Sequence, residues 1–266
     1  MKPVFSVCVL TLDNFLFQSS VTMDLENRGI AGLFLPENSH VPLDRPGTKK
    51  LVSNIQEISR FEDPFINLAG LSVQTKRLYL GTSVSLLTHR DPILLARSVW
   101  SLQRLSKNRL IMGIAGGFIK EAMENFGVKF EDRWNTVRDS IIIMRSIWSQ
   151  EMSRSDSTAA VEIPPIWIGS NSRAVPDRVA EYANGWLVRK NLYRGDPFAD
   201  LKVACDHWQR DMDEITMVSM DTSRDKITIE HDLKAGYKHF IFFISFQCSS
   251  EYYRSLDVIT SIVEEF

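Results

Sequence analysis

LGTSVSLLTHRDPILLARSVWSLQRLSKNRLIMGIAGG, residues 80–117, carries most of a strand–helix–strand unit. Its opening belongs to Leu78–Leu87, a run of β-branched and aliphatic residues that reads as a strand with Gly81 inside it. Asp91-Pro92 then supplies a side-chain cap and a proline preset for the first helical turn. Leu95, Val99 and Leu102 recur at i, i+4 and i+7, which puts them on one helical face. Arg109–Ala115 is the next strand, closed by Gly116-Gly117. Two strands of one sheet joined through a crossover helix run parallel.

The same alternation extends in both directions. Upstream, Val4–Leu10 reads as a strand and Ser20–Arg28 as a helix stopped by Gly29. Ile30–Leu35 is a second strand ending at Pro36, and a polar loop runs from Glu37 to about Glu62. Asp63-Pro64 repeats the cap signal and opens the helix Phe65–Thr75. Downstream, a helix runs from about Asp132 to Ser149, with Trp134, Val137, Ile141, Met144 and Trp148 on its apolar face. Ser153–Thr158 reads as a surface loop. Then come strand Pro165–Gly169, helix Arg173–Ala183 ended by Asn184-Gly185, and strand Trp186–Val188. Helix Pro197–Met212 places Phe198, Leu201, Cys205, Trp208 and Met212 on one face. Strand Ile215–Met220, helix Ser223–Ala235, strand His239–Ser245 and helix Glu251–Phe266 finish the chain. Eight such units predict an α/β fold, a single-domain (β/α)8 TIM barrel over residues 1–266. A doubly wound open sheet would show a phosphate loop after its first strand, and neither GxGxxG nor GxxxxGK[ST] occurs.

Composition narrows the function. The 266 residues are 44% hydrophobic and 24% charged, as expected of a globular chain. A net charge of −2 gives no field for nucleic acid or an acidic membrane, and no stretch approaches a membrane span. Cys8, Cys205 and Cys248 are scattered without a CxxC pair, which argues against zinc or a disulfide scaffold and fits a reducing cytoplasm. The N-terminal run reads as a first strand rather than a signal peptide.

In such a barrel the chemistry gathers where the strands end. That rule selects Thr11, Asp13 and Asn14, then Glu37, Asn38 and His40, then Thr88, His89 and Arg90. It continues with Gly116, Gly117 and Phe118, the run Gly169, Ser170, Asn171, Ser172 and Arg173, then Arg189 and Lys190, Asp221 and Gln247. Gly169–Ser172 precedes a helix, so it could seat an anion such as a phosphate, with Arg173 adding charge. Equally, Ser170 or Ser172 could only cap that helix. Glu37 and His40 could do acid–base work or bind metal, although two ligands make a weak metal site. His89 could transfer protons or sit in a polar loop whose Arg90 pairs with a carboxylate. Gly116-Gly117 allows close approach of a ligand or merely a tight turn. Trp100, Trp134, Trp148 and Trp208 have helical spacing and read as core.

Taken together, Leu80–Trp134 resembles the luciferase-like monooxygenase superfamily. The matching motifs are Gly-Thr-x-Val from Gly81, Arg-x-Pro-x-x-x-Ala from Arg90, Leu-x-x-Leu-Ser-x-x-Arg-x-x-x-Gly from Leu102, and Gly-x-x-Phe-x-x-Arg from Gly127. Pro164–Ser172 (PPIWIGSNS) and Asn184-Gly185-Trp186 extend the match. Leu35–His40 (LPENSH), Pro42 and Asp63-Pro64 resemble a subgroup of probable F420-dependent oxidoreductases of actinobacteria. The resemblance implies an oxidoreductase that binds F420, or FMN in the alternative of a luciferase-like monooxygenase, and acts on a small organic substrate. It also implies a bulge in the third strand at Ser83 and Val84, often with a non-prolyl cis peptide, supporting the cofactor's ring. Gly116 and Gly117 would line that ring, and Gly169, Ser170, Asn171 and Ser172 its phosphate. Such relatives are often dimers.

The chain departs from that pattern at Asn38, where a histidine is usual, leaving His40 or His89 to move protons. Phe118 replaces a tryptophan, Lys107-Asn108 replaces a glycine pair, and Ser170 replaces a glycine. The segment between Trp148 and Pro164 is short. These changes leave room for a degenerate, non-catalytic barrel. The acidic tail of F420 would favour Arg189, Lys190 and Arg194 as a means of telling it from FMN.

Overall fold

A computed structural model describes residues 2–10, 19–42, 61–154 and 160–266. Thr11, Asp13, Asn14, most of the Glu37–Glu62 loop and most of Ser153–Thr158 lie outside the described residues. The strands are β1 (Val4–Val9), β2 (Gly32–Leu35), β3 (Tyr79–Thr82), β4 (Ser85–Leu86), β5 (Leu110–Ala115), β6 (Ile166–Gly169), β7 (Gly185–Val188), β8 (Thr216–Met220) and β9 (His239–Ile244). Every pairing is parallel, and β3 and β4 both lie against β5, so the sheet closes on itself. β3 and β4 are two halves of one stave, and the ring is an eight-stave barrel surrounded by helices, as the sequence predicts.

Alternation along the staves sorts two cores. In β1, Phe5, Val7 and Val9 join the layer between staves and helices, while Cys8 points into the barrel. The barrel interior is filled by Cys8, Phe34, Ile111, Trp167, Leu187, Val218, Met220 and Ile241. Leu10, Val84 and Phe243 are only partly buried against this cluster at the carboxyl ends of their staves. They give the barrel mouth an apolar floor.

The helices are α1 (Ser19–Asn27), α2 (Pro64–Gln74), α3 (Pro92–Leu105), α4 (Lys120–Glu124), α5 (Arg133–Ser153), α6 (Val175–Tyr182), α7 (Pro197–His207), α8 (Lys226–Ala235) and α9 (Ser249–Val263). Asp63 and Asp91 accept hydrogen bonds from the first-turn amides of α2 and α3, as the Asp-Pro pairs require. Periodicity alone misses three features. The third strand is broken at Ser83-Val84, where the family resemblance places a bulge, α4 is a short extra helix, and α7 stops at His207 rather than Met212. Apolar spacing carries on past His207, but Gln209 takes a left-handed backbone with φ +51°, which ends the helix. Trp208 is therefore not core: it is 40% exposed and donates its indole N–H to Asp177 at 2.9 Å.

At the barrel's amino end, His239 Nε2 lies 2.7 Å from Ser6 Oγ, and the ring meets Trp167 edge-on. Burial pushes this imidazole from 6.5 down to about 3. Between those values the unfolded chain binds a proton that the folded chain refuses, so stability falls as pH drops below about 6.5. By pH 5 the loss from this residue amounts to about 2 kcal/mol. Urea unfolding at pH 7 and pH 5 should show that loss, and His239→Gln should reduce it by a similar amount. An unchanged pH dependence in the variant would contradict the assignment.

Candidate active site

The third stave decides the shape of the mouth. Gly81 pairs with Ile111, and Ser85 pairs with Ile114, so four steps on this stave oppose three on β5. The extra residue is a bulge, and its Ser83–Val84 peptide is cis. Ser83 is buried, whereas Val84 is half-buried and borders the interior cluster. A Cβ at Gly169 would lie 2.7 Å from Val84 Cγ1, so β6 leaves room for the bulge across the mouth.

Glu37 and Arg90 brace the bulge from behind. Ser85 Oγ and the Leu86 N–H donate to Glu37 Oε2 at 2.6 and 3.3 Å. Arg90 Nε donates to Glu37 Oε1 at 2.8 Å, and Arg90 also reaches Asp63 at 3.0 Å. The Glu37 side chain is only 6% exposed, and burial raises its pKa against the pull of Arg90. Both its oxygens are engaged, which suits bracing rather than the acid–base work or metal ligation considered from sequence. Among the described residues no cluster of metal-ligating side chains forms.

Beside this brace lie two histidines. Ser39 Oγ is 3.0 Å from His40 Nδ1 and 2.9 Å from His89 Nδ1. Asn125 Nδ2 is 2.8 Å from His40 Nε2. The Phe126 ring stacks on His89, with centroids 4.7 Å apart and planes 8° from parallel. His89 is 7% exposed, and its Nε2 is buried without a hydrogen-bond partner among the described residues. Burial, then the nearby His40 and Arg90, hold its pKa down to about 4, so it is neutral at pH 7. Gly117, with φ +77°, sits where a side chain would come within 3.8 Å of His89 Nε2. Gly116 instead faces Arg133 at the start of α5. Asn38 is 8% exposed, and its Nδ2 also lacks a partner among the described residues.

The third group of residues is the turn before α6. Ser170 Oγ accepts from the Ser172 N–H at 3.3 Å, while the helix itself has no side-chain cap. The capping alternative for Ser170 and Ser172 therefore does not describe this helix. Asn171 is exposed on the same turn. The cation that reaches the turn is Arg178, absent from the sequence reading: its Nη1 donates to Ser172 Oγ at 3.0 Å while its guanidinium lies over Trp134. The spacing of Ser172 and Arg178 across the first helical turns was the only available signal. Arg173 lines a separate cleft of 670 Å³ with Arg194, Tyr193 and His207. Arg189 and Lys190 are instead paired with Asp221 and Asp232.

A family model for luciferase-like monooxygenases matches residues 21–218. The chain belongs to this family. Among curated relatives, an uncharacterised protein of Mycobacterium tuberculosis is 28% identical over 167 residues, 61% of this chain and 59% of its own length. The chain thus matches less than two thirds of that relative's length. The coenzyme F420 dependent tetrahydromethanopterin reductase of Methanopyrus kandleri superposes with a TM-score of 0.69 at 14% identity, covering 100% of this chain and 99% of that one. The oxygenating constituent of 3,6-diketocamphane monooxygenase from Pseudomonas putida, solved with FMN, gives 0.70 at 13% identity, covering 99% and 98%. At such identities the likeness is one of fold. Luciferase-like enzymes are oxidoreductases and monooxygenases, and the similar structures include an F420 enzyme and an FMN enzyme.

Proposed function

We propose that this chain is an F420-dependent oxidoreductase that moves a hydride between the deazaflavin and a small organic substrate. The observation that carries this reading is the bulged third stave, whose half-buried Val84 joins Leu10 and Phe243 in an apolar floor. A planar ring needs such a floor. Asn38 Nδ2 and His89 Nε2, both buried and without a partner among the described residues, offer polar atoms to a ligand. The turn Gly169–Ser172 with Arg178 would hold the phosphate. F420 is favoured over FMN by the LPENSH motif and by Arg173 and Arg194, which have no carboxylate partner among the described residues, toward an acidic tail. Asp177 and Asp200 in the same cleft are engaged by Trp208 and Tyr193.

When bound, the deazaflavin accepts or donates the hydride; the protein positions it and manages the accompanying proton. His89, neutral and buried, holds that proton at Nε2 beside Gly117. Fluorescence titration with F420, its tail-less form and FMN tests the reading. F420 should bind tightest, and Arg178→Met should weaken it about tenfold, the worth of one charged hydrogen bond. Tight binding of FMN alone would overturn the F420 assignment, and binding of none of them would mark a degenerate barrel.

A further inference from the structure

A hydroxyl has one proton to give. Ser39 Oγ lies within hydrogen-bond distance of both His40 Nδ1 and His89 Nδ1, so it donates to one and accepts from the other. Asn125 fixes the direction. Its Nδ2 donates to His40 Nε2, which leaves the His40 proton on Nδ1. His40 Nδ1–H then donates to Ser39, and Ser39 donates to His89 Nδ1, leaving the His89 proton on Nε2. That nitrogen is buried and has no partner among the described residues, whereas Ser39 is exposed and His40 half-exposed. Most buried polar atoms are satisfied, so an unpartnered inner nitrogen marks a place where a ligand atom fits.

We propose that His40, Ser39 and His89 form a proton relay between solvent and the barrel mouth. The proposal rests on the oxidoreductase reading, for which it supplies the proton path. Asn125 turns its amide aside, and His40 Nε2 takes a proton from water. The Nδ1 proton of His40 passes to Ser39 Oγ as the Ser39 proton passes to His89 Nδ1. His89 Nε2 releases its proton to the oxygen of a substrate carbonyl whose carbon has received the hydride. Each N–H or O–H bond that breaks is matched by one that forms, no electrons move along the relay, and one proton travels from water to substrate. The step leaves His40 protonated on Nε2, facing Asn125, which accepts it once its amide presents Oδ1. Alcohol oxidation would run the same path outward.

The test uses the full chain without cofactor, so it stands apart from F420 binding. Long-range nitrogen NMR of the histidine rings should show His40 as the Nδ1–H tautomer and His89 as Nε2–H. Exchange of the His89 Nε2 proton with water should slow about tenfold or more in Ser39→Ala and in His40→Gln, as loss of a general acid–base partner predicts. Ser39→Thr, which restores the hydroxyl, should recover the rate. A His89 ring protonated on Nδ1 in the unaltered chain, or exchange unchanged in both variants, would overturn the relay. Failure of F420 to bind, with these NMR results intact, would remove the cofactor assignment and leave the relay standing.

Discussion

Gly113→Ala should destabilise the barrel by about 3 kcal/mol or more, because the new methyl has nowhere to go. A Cβ at Gly113 would lie 2.0 Å from the Thr82 carbonyl oxygen and 3.1 Å from its carbon. Those are backbone atoms at the lip of the bulge, and they cannot rotate away as a side chain would. The same contact region holds the Thr82 hydroxyl, which donates to the Gly113 carbonyl at 2.6 Å. Relief would require moving β3 away from β5, and with it the Ser83–Val84 peptide that shapes the mouth. Gly116→Ala is the control: its nearest neighbour is the flexible Arg133 side chain at 3.3 Å. Urea unfolding should separate the two variants clearly. A Gly113→Ala protein that unfolds like the parent would show that β5 does not bear on the bulge.

This dependence also explains how far the sequence could be read. The barrel was legible because each unit carries local punctuation, such as Asp63-Pro64 and Asp91-Pro92, followed by helical apolar spacing. Such signals span a few residues and need no tertiary context. The bulge was not legible from periodicity, since Ser83 and Val84 are ordinary strand residues; only the family resemblance placed it. Its physical cause is a register difference between 81–85 and 111–114, a property of two strands together. The overlong reading of α7 has a similar source, because spacing to Met212 says nothing about the backbone of Gln209.

At the mouth, residue types were visible but partnerships were not. His40 and His89 were each recognisable, and Arg90 was foreseen with a carboxylate partner. Ser39, which reaches one ring beside it and another fifty positions on, gave no signal of its own. Arg178 was hidden because Arg173, nearer in sequence to the serines, was the obvious cation. The fold turns Arg173 to a side cleft and brings Arg178 back one turn to Ser172.

Arg109→Leu should cost about 4 kcal/mol of unfolding free energy, through buried acceptors left without donors rather than through a broken ion pair. Arg109 is 9% exposed at the amino end of β5. Its Nε donates to Ser106 O at 2.6 Å, and Nη1 to Thr75 Oγ1 and Leu78 O at 2.7 and 2.9 Å. Nη2 reaches Ser72 O and Thr75 O at 2.7 and 3.2 Å. One planar fork thus ties the end of α2, the start of β3 and the turn before β5. Arg109→Lys should recover little of the loss, since an ammonium cannot present five donors in one plane. The fork lies at the barrel's amino end, and chemistry in this fold gathers at the other. Below its lowered melting temperature, Arg109→Leu should therefore bind cofactor as the parent does, whereas Gly113→Ala should not. Leucine tolerated within 1 kcal/mol would mean that these carbonyls find water or other donors once the guanidinium is gone.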